Sequence, residues 1–319
     1  MTVIDESVHS TAAGPLEPHV AWYAGYRQAG VGPAIHRGLP SPHLTLIFTL
    51  DDPVTLVGHP DPRQGPADYD SLVGGLHTAP AIISHQGRQS GIQLGLDPLS
   101  SRALLGLPAG ELAGEVLSAD AVLGRISGQL REQLATAANW PERFAVIDCM
   151  LPRAAREYGA VPPEVVRAWR RLLATGGRIP VSALARDVGW SERHLSGRFR
   201  TELGLTPKAA ARVVRFDRAR RLLSARAAAS TGPGRSLRAA EREAQNQAQR
   251  QALGQDRPGV LDLHGYTRLA DLAVECGYFD QAHLAREFRA LAGCAPIEWL
   301  STEFRNIQAE SPGSAADWS

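Results

Sequence analysis

The sequence has few cysteines, a single lysine and no long hydrophobic run. Its three cysteines, Cys149, Cys276 and Cys294, are too scattered for a disulfide framework and match no zinc-ligand spacing. No stretch of about 18 apolar residues occurs, so we expect no membrane span. The N-terminal residues show neither a basic start nor an apolar run, which predicts no signal peptide and a cytoplasmic location.

Positive charge comes almost entirely from arginine, and Lys208 is the lone lysine. The chain has 34 basic and 33 acidic residues, but their distribution is uneven. Residues 1–161 carry a net charge of −6, whereas residues 162–307 carry +9. This asymmetry indicates that one half of the chain meets a polyanion, although a solvated basic surface explains the charge alone equally well.

Turn residues and hydrophobic periodicity divide the chain into segments. Residues 1–18 are expected to be a disordered leader. Residues 19–160 begin with short β-like segments, such as 43–50 with its alternating apolar residues, and turn helical from about Pro98. This pattern predicts a small β-barrel or sandwich with helices, and therefore an α+β fold for the whole chain.

The remaining residues are predicted to be helical. Residues 163–305 are expected to form an all-α domain, followed by a tail at 306–319. Within it, residues 224–268 are rich in Ala, Arg, Gln and Glu and poor in large apolar side chains. Such a composition buries little surface, so we expect an exposed or partly disordered insertion there.

Two segments of the C-terminal half share one pattern of helix, glycine turn and helix. The turn glycines, Gly189 and Gly277, are 88 residues apart, and each is preceded by an apolar helical face. Ser191 and Asp280 follow as candidate N-caps of the second helices. The apolar stripe of the first copy is Leu195, Phe199 and Leu203, and that of the second copy is Leu284, Phe288 and Leu291 or Ala292. This arrangement is typical of units that place their second helix in the major groove of DNA.

With both copies in view, residues 181–305 resemble the DNA-binding domain of the AraC/XylS family of transcription regulators. The resemblance implies two helix-turn-helix units joined by a linker helix, which would begin at Thr206-Pro207 and include Arg215. Residues of the N-terminal half more loosely resemble a sensor-like domain found ahead of some AraC-type domains. That resemblance implies a role in effector binding or dimerisation.

The recognition helices are expected at about 191–203 and 280–292, with their apolar stripes facing inward. A projection at about 100° per residue then defines the outer face of each helix. The residues expected to contact bases are Arg193, Ser196, Gly197, Gln281, Ala282 and Arg286. The residues expected to contact phosphates are His194, Arg198, Arg200, His283 and Arg289. Arginine can bind guanine O6 and N7 in a bidentate manner, whereas a lone exposed arginine is more often merely solvated.

These features favour a sequence-specific transcription regulator that binds promoter or operator DNA under the control of a small-molecule effector. RNA polymerase and a second copy of the chain are further expected partners, and the residues leave activation and repression both open. No catalytic pattern such as G-x-S-x-G occurs, so we expect no enzyme activity, no cofactor and no metal. The alternative is a metal-dependent barrel enzyme fused to a DNA-binding domain, with ligands from His36, His43, His77 and His85.

Overall fold

Two antiparallel sheets form the N-terminal half of the chain in the computed structural model, which describes residues 3–155, 159–230 and 269–303. The strands are β1 (Ile4–Ser10), β2 (Val20–Ala29), β3 (Ala34–Gly38), β4 (Leu44–Thr49), β5 (Val54–Gly58), β6 (Ala67–Tyr69), β7 (Ser71–Gly74), β8 (Ala81–His85), β9 (Arg88–Leu96) and β10 (Val116–Ser118). One sheet has the order β1-β2-β9-β4-β7-β10, and the other has the order β3-β8-β5-β6. The predicted small β-barrel or sandwich is therefore confirmed.

The side chains of strand β4 show that the N-terminal half has three layers, namely the helices, the six-stranded sheet and the four-stranded sheet. Successive side chains of a strand point to opposite faces of the sheet. Leu46 and Phe48 are fully buried in the main core, which the helices share, whereas Ile47 packs with Leu56 and Leu72 in a separate cluster between the two sheets. The six-stranded sheet thus has helices on one face and the four-stranded sheet on the other.

Four helices belong to the N-terminal half and seven to the C-terminal half among the described residues. The first four are α1 (Ser101–Leu105), α2 (Ala119–Leu123), α3 (Arg125–Thr136) and α4 (Trp140–Met150). The others are α5 (Pro163–Ala174), α6 (Val181–Asp187), α7 (Glu192–Leu203), α8 (Pro207–Ser230), α9 (Leu269–Glu275), α10 (Gln281–Ala292) and α11 (Pro296–Glu303). The expected α+β class is confirmed. None of the described helices has the length and apolarity needed to cross a bilayer.

The disordered leader expected at residues 1–18 is wrong for the part that the structure describes. Strand β1 pairs with β2 along its whole length, from Ile4 opposite Ala29 to Ser10 opposite Tyr23. A 3-10 turn follows, and its Leu16 is fully buried in the main core. The strand escaped prediction because it lies at the edge of its sheet with every side chain exposed or half-buried, which leaves little hydrophobic periodicity in the sequence.

The insertion expected at residues 224–268 begins later than predicted. Residues 224–230 continue helix α8, and Ser224 and Ala227 are buried. The boundary was misplaced because the buried side chains of this helical turn are small, so the sequence shows no large apolar residue that would indicate burial. Residues 231–268, and the tail expected at 306–319, lie outside the described residues.

The buried position of Leu16 predicts a stabilising N-terminal segment. Replacing Leu16 by Ala is expected to lower the free energy of unfolding by about 2–5 kcal/mol, because the change leaves a cavity in a closed core. Urea unfolding followed by circular dichroism measures the loss, and Glu17→Ala at the exposed neighbouring position is the control. Equal stability of the two variants would show that the segment is not packed in solution.

Candidate nucleic-acid interface and adjoining cavity

Helices α6 and α7 form the first helix-turn-helix unit. Gly189 has a φ of +72° in the turn between them, a conformation that L side chains rarely adopt. The Ser191 side chain caps α7 by accepting a hydrogen bond of 3.2 Å from the backbone N–H of His194. Leu195 and Phe199 are fully buried, so the opposite face of α7 is turned outward.

Helices α9 and α10 repeat this geometry in the second unit. Gly277 has a φ of +78° in the turn. The Asp280 carboxylate accepts a 2.6 Å hydrogen bond from the backbone N–H of His283 and caps α10. Leu284 and Phe288 fill the positions of the first stripe and are buried. The two copies found in the sequence are thus two units of the same local structure.

Helix α8 is the linker between the units and contacts both. The Phe216 ring lies 4.9 Å from the ring of Phe288 on α10. The Arg212 Nε donates to Glu287 Oε1 over 2.7 Å, and Arg215 Nη2 lies 3.4 Å from Glu287 Oε2. Arg215 also donates through Nη1 to the carbonyl of Gly177, just ahead of α6, over 2.8 Å. One arginine therefore connects the second recognition helix to the entry of the first unit.

The sequence-predicted contact residues lie mostly on the open faces of α7 and α10. The exposed members are Arg193, His194, Gly197, Arg200, Gln281, Ala282, Arg286 and Arg289, and the half-buried members are Ser196, Arg198 and His283. Among the described residues, no acidic side chain forms an ion pair with Arg193 or Arg286. Both faces thus present positive charge to solvent.

Two of the predicted phosphate contacts are partly engaged within the protein. Arg198 Nη2 lies 3.5 Å from Glu202 Oε1 on its own helix. The His283 ring accepts through Nδ1 from the backbone N–H of Phe279 over 3.3 Å, and its Nε2 lies 3.9 Å from Glu287. Each of these contacts lies within a single unit, so Arg198 and His283 also have local partners in the protein.

The sequence analysis did not single out Phe279, the residue between Tyr278 and the N-cap Asp280. Its side chain is 88% exposed. Gly189 and Leu195 are six positions apart, whereas Gly277 and Leu284 are seven apart. Phe279 is the extra residue, and this unequal spacing was the signal available in the sequence.

The N-terminal half holds the back of the first recognition helix. The Arg102 guanidinium on α1 donates to both carboxylate oxygens of Glu202 on α7, over 2.9 Å and 3.1 Å, and Glu202 is buried. Beside this pair, Gly110 packs so closely that an added Cβ would overlap the carbonyl oxygens of Arg200 and Thr201. The N-terminal half thus contacts α7 at the Glu202 carboxylate and at the carbonyl oxygens of Arg200 and Thr201.

A cavity of about 130 Å³ lies between the two sheets. Its wall is mainly apolar and aromatic, with Trp22 and Tyr26 among its residues, and Arg220 from helix α8 also lines it. His36 and His77 contribute polar groups, but burial lowers the pKa of each to about 4 and so keeps both neutral at pH 7. The cavity therefore suits a small, largely apolar molecule.

The four histidines of the barrel-enzyme alternative do not converge on one point. The His36 and His85 rings are 5.7 Å apart between centroids, and His77 Nδ1 lies 2.6 Å from the carbonyl of Ala79. His43 instead faces Asp217 and Arg221 of helix α8. Within the part of the chain that the structure describes, no three His, Cys, Asp or Glu side chains are grouped to hold a metal ion. The arrangement therefore does not supply the ligands that the alternative requires.

Comparison with known proteins identifies one segment by sequence. Residues 262–301 match the family model of bacterial regulatory helix-turn-helix proteins of the AraC family. This match covers the second predicted unit and confirms the resemblance there. No curated protein matches the chain.

Solved structures show a weak likeness to the whole chain. ToxT from Vibrio cholerae aligns at 10% identity with a TM-score of 0.45, over 88% of this chain and 96% of that one. A ToxT structure with bound unsaturated fatty acid aligns at 7% identity and a TM-score of 0.45, over 94% and 95%. The AraC-like transcriptional activator CuxR aligns at 14% identity and a TM-score of 0.25, over 60% and 79%. With TM-scores below 0.5, these likenesses carry no argument about function.

The close approach at Gly110 predicts a test of the contact between the two halves. Replacing Gly110 by Ala is expected to lower the free energy of unfolding by about 1–3 kcal/mol, because the methyl group forces α7 away from its support. Gly128→Ala is the matched control, since an added Cβ on Gly128 of α3 has no neighbour within 4 Å. Urea denaturation compares the two, and similar stabilities would mean that the halves are apart in solution.

Proposed function

Because the C-terminal segment is an AraC-family helix-turn-helix unit, we propose that the chain is a sequence-specific transcription regulator that inserts α7 and α10 into the major groove. The observation that carries the proposal is the repeated geometry of the two units. Each recognition helix has a capped start, a buried apolar stripe and an exposed basic face. Regulation of transcription, rather than catalysis, is the activity that such paired units support.

Within this proposal, arginines early on each outer face provide the sequence readout. Arg193 and Arg286 are exposed and can reach guanine O6 and N7 through a bidentate pair of hydrogen bonds. Arg200 and Arg289 lie later on the same helices and suit phosphate contacts, which position the protein on the duplex. Ser196, Gly197, Gln281 and Ala282 line the remainder of the two faces.

The contacts of helix α8 support joint action by the two units. Two helices can occupy successive grooves only if the protein fixes the distance between them. The pairing of Glu287 with Arg212 and Arg215 attaches α10 directly to the linker helix. The Phe216–Phe288 contact adds apolar packing at the same junction.

The cavity supports control by a small-molecule effector. An engineered cavity of about 150 Å³ in another protein takes up benzene, so a space of about 130 Å³ suits a ligand of single-ring size. Arg220 brings the linker helix into the cavity wall. A bound molecule would therefore contact the same helix that positions both recognition helices.

The readout assigned to the arginines can be tested on duplexes selected from a random pool by the full-length protein. Arg193→Ala and Arg286→Ala are each expected to lose about 1–3 kcal/mol of binding free energy and to relax specificity in different half-sites. Arg125→Ala, at an exposed arginine of the N-terminal half, is the control. Binding should also weaken steeply with salt. Enrichment of no motif would count against sequence-specific recognition.

The cavity can be tested by filling it. Val54 lines the cavity, and Val57 on the same strand faces outward and is 43% exposed. Benzene and benzyl alcohol are expected to raise the melting temperature of the wild type and of Val57→Trp, but not of Val54→Trp, in which the indole occupies the space. Equal stabilisation of all three proteins would place the ligand elsewhere.

A further inference from the structure

Phe279 is the most exposed of the large hydrophobic side chains that the structure describes. The exposed set consists of Val3, Ile35, Val57, Val274 and Phe279. Phe279 is the aromatic member and lies one residue before the N-cap of α10. The ring is therefore exposed beside the N-terminal end of α10, and this is the end of a recognition helix whose residues contact base edges.

The turn of the second unit has a residue that the first unit lacks. After the turn glycine, Trp190 in the first unit and Tyr278 in the second each lie against a histidine of the recognition helix, with ring centroids 4.5 Å and 5.3 Å apart. The first unit then proceeds directly to its N-cap. In the second unit, Tyr278 is buried in the position that corresponds to Trp190, and Phe279 is an additional residue before the N-cap.

The backbone fixes Phe279 to the start of the recognition helix. Its N–H donates to His283 Nδ1 over 3.3 Å, and the His283 N–H donates to the Asp280 cap. The Phe279 backbone is therefore tied to the first turn of α10 by one hydrogen bond, to a histidine that the Asp280 cap in turn holds. The position of the residue at the start of the recognition helix is thus set by an ordered turn, and its ring is open to solvent.

The surroundings of Phe279 match a nucleic acid. Asp280 beside Phe279 is engaged as the helix cap, and Arg286 and Arg289 are exposed on the helix that follows, so a polyanion is the partner that the outer face of α10 favours. The major groove offers an apolar group at one base only, the C5-methyl group of thymine. Apolar side chains at the groove-facing end of a recognition helix are suited to contact that methyl group.

We infer that Phe279 is a specificity-determining residue of the second half-site, where its ring packs against the C5-methyl group of a thymine. The inference rests on the proposed function, because it requires α10 to lie in the major groove. It adds an aromatic contact to a face otherwise assigned to Gln281, Ala282 and two arginines. It also makes the two half-sites unequal, since the first unit has no residue at this position.

Removal of the thymine methyl group provides the test. Duplexes are first selected from a random pool with the full-length protein, and each thymine of the selected site is then replaced singly by deoxyuridine. For the wild type, one deoxyuridine in the second half-site is expected to weaken binding about fourfold, the value of one buried methyl-sized group. The Phe279→Ala protein is expected to bind the thymine duplex more weakly and to lose the response at that position.

Two further variants complete the experiment. Phe279→Leu keeps an apolar side chain and should retain the response to deoxyuridine. Val274 lies on α9 of the same unit and is 69% exposed. Val274→Ala removes this apolar side chain and should leave the response to deoxyuridine unchanged. Together these variants separate an apolar contact with one base from a general effect of surface hydrophobicity.

The possible failures are distinguishable. If no motif is enriched, the proposed function fails before Phe279 is tested. If a motif is enriched and depends on Arg286, but the Phe279→Ala protein responds to every deoxyuridine as the wild type does, the inference is wrong and the proposed function stands. An equal loss of affinity by Phe279→Ala on all duplexes, with the response to deoxyuridine intact, would assign the ring to the DNA backbone and overturn the inference.

Discussion

Helix α8 is the element on which the rest of the molecule depends, because it contacts both helix-turn-helix units and the sheets at once. Its Phe216 and Arg212 contact α10, and Arg215 reaches the entry of the first unit. On the side of the sheets, Arg220 lines the cavity. Buried Asp217 accompanies these arginines, and Arg221 and Arg220 keep its pKa low although burial alone would raise it. The helix is therefore constrained both by apolar packing and by charge.

The two recognition helices are attached in different ways. Glu202 of α7 pairs with Arg102 of the N-terminal half, whereas Glu287 of α10 pairs with arginines of the linker helix. The position that Glu202 occupies corresponds to apolar Leu291 in the second unit. A buried ion pair contributes more to geometry than to net stability, because desolvation offsets much of the attraction. The N-terminal half thus contacts the first unit directly, whereas the second unit is attached to α8.

Local patterns predicted the parts of the fold that local chemistry determines. The turns were predicted from Gly189 and Gly277, because a positive φ favours glycine. The caps were predicted from Ser191 and Asp280, because an N-cap needs a side chain that accepts a hydrogen bond. Strand β1 could not be predicted because its side chains are exposed or half-buried at the edge of a sheet and show no hydrophobic periodicity. The Arg102–Glu202 pair could not be predicted because its two residues are 100 positions apart in sequence. Arg198 is a different case within the site. Projection placed it toward DNA, but Glu202 lies four residues later on the same helix, and its carboxylate is 3.5 Å from Arg198 Nη2.

The separation of the two units does not depend on the chain that connects them. Residues 231–268 intervene between α8 and α9. The entropic cost of closing a loop grows only logarithmically with its length. The contacts of Glu287 and Phe288 with α8 are made by residues on either side of that connection. Because these contacts attach α10 to the linker helix itself, the length of the connection can vary while the spacing of the recognition helices is retained.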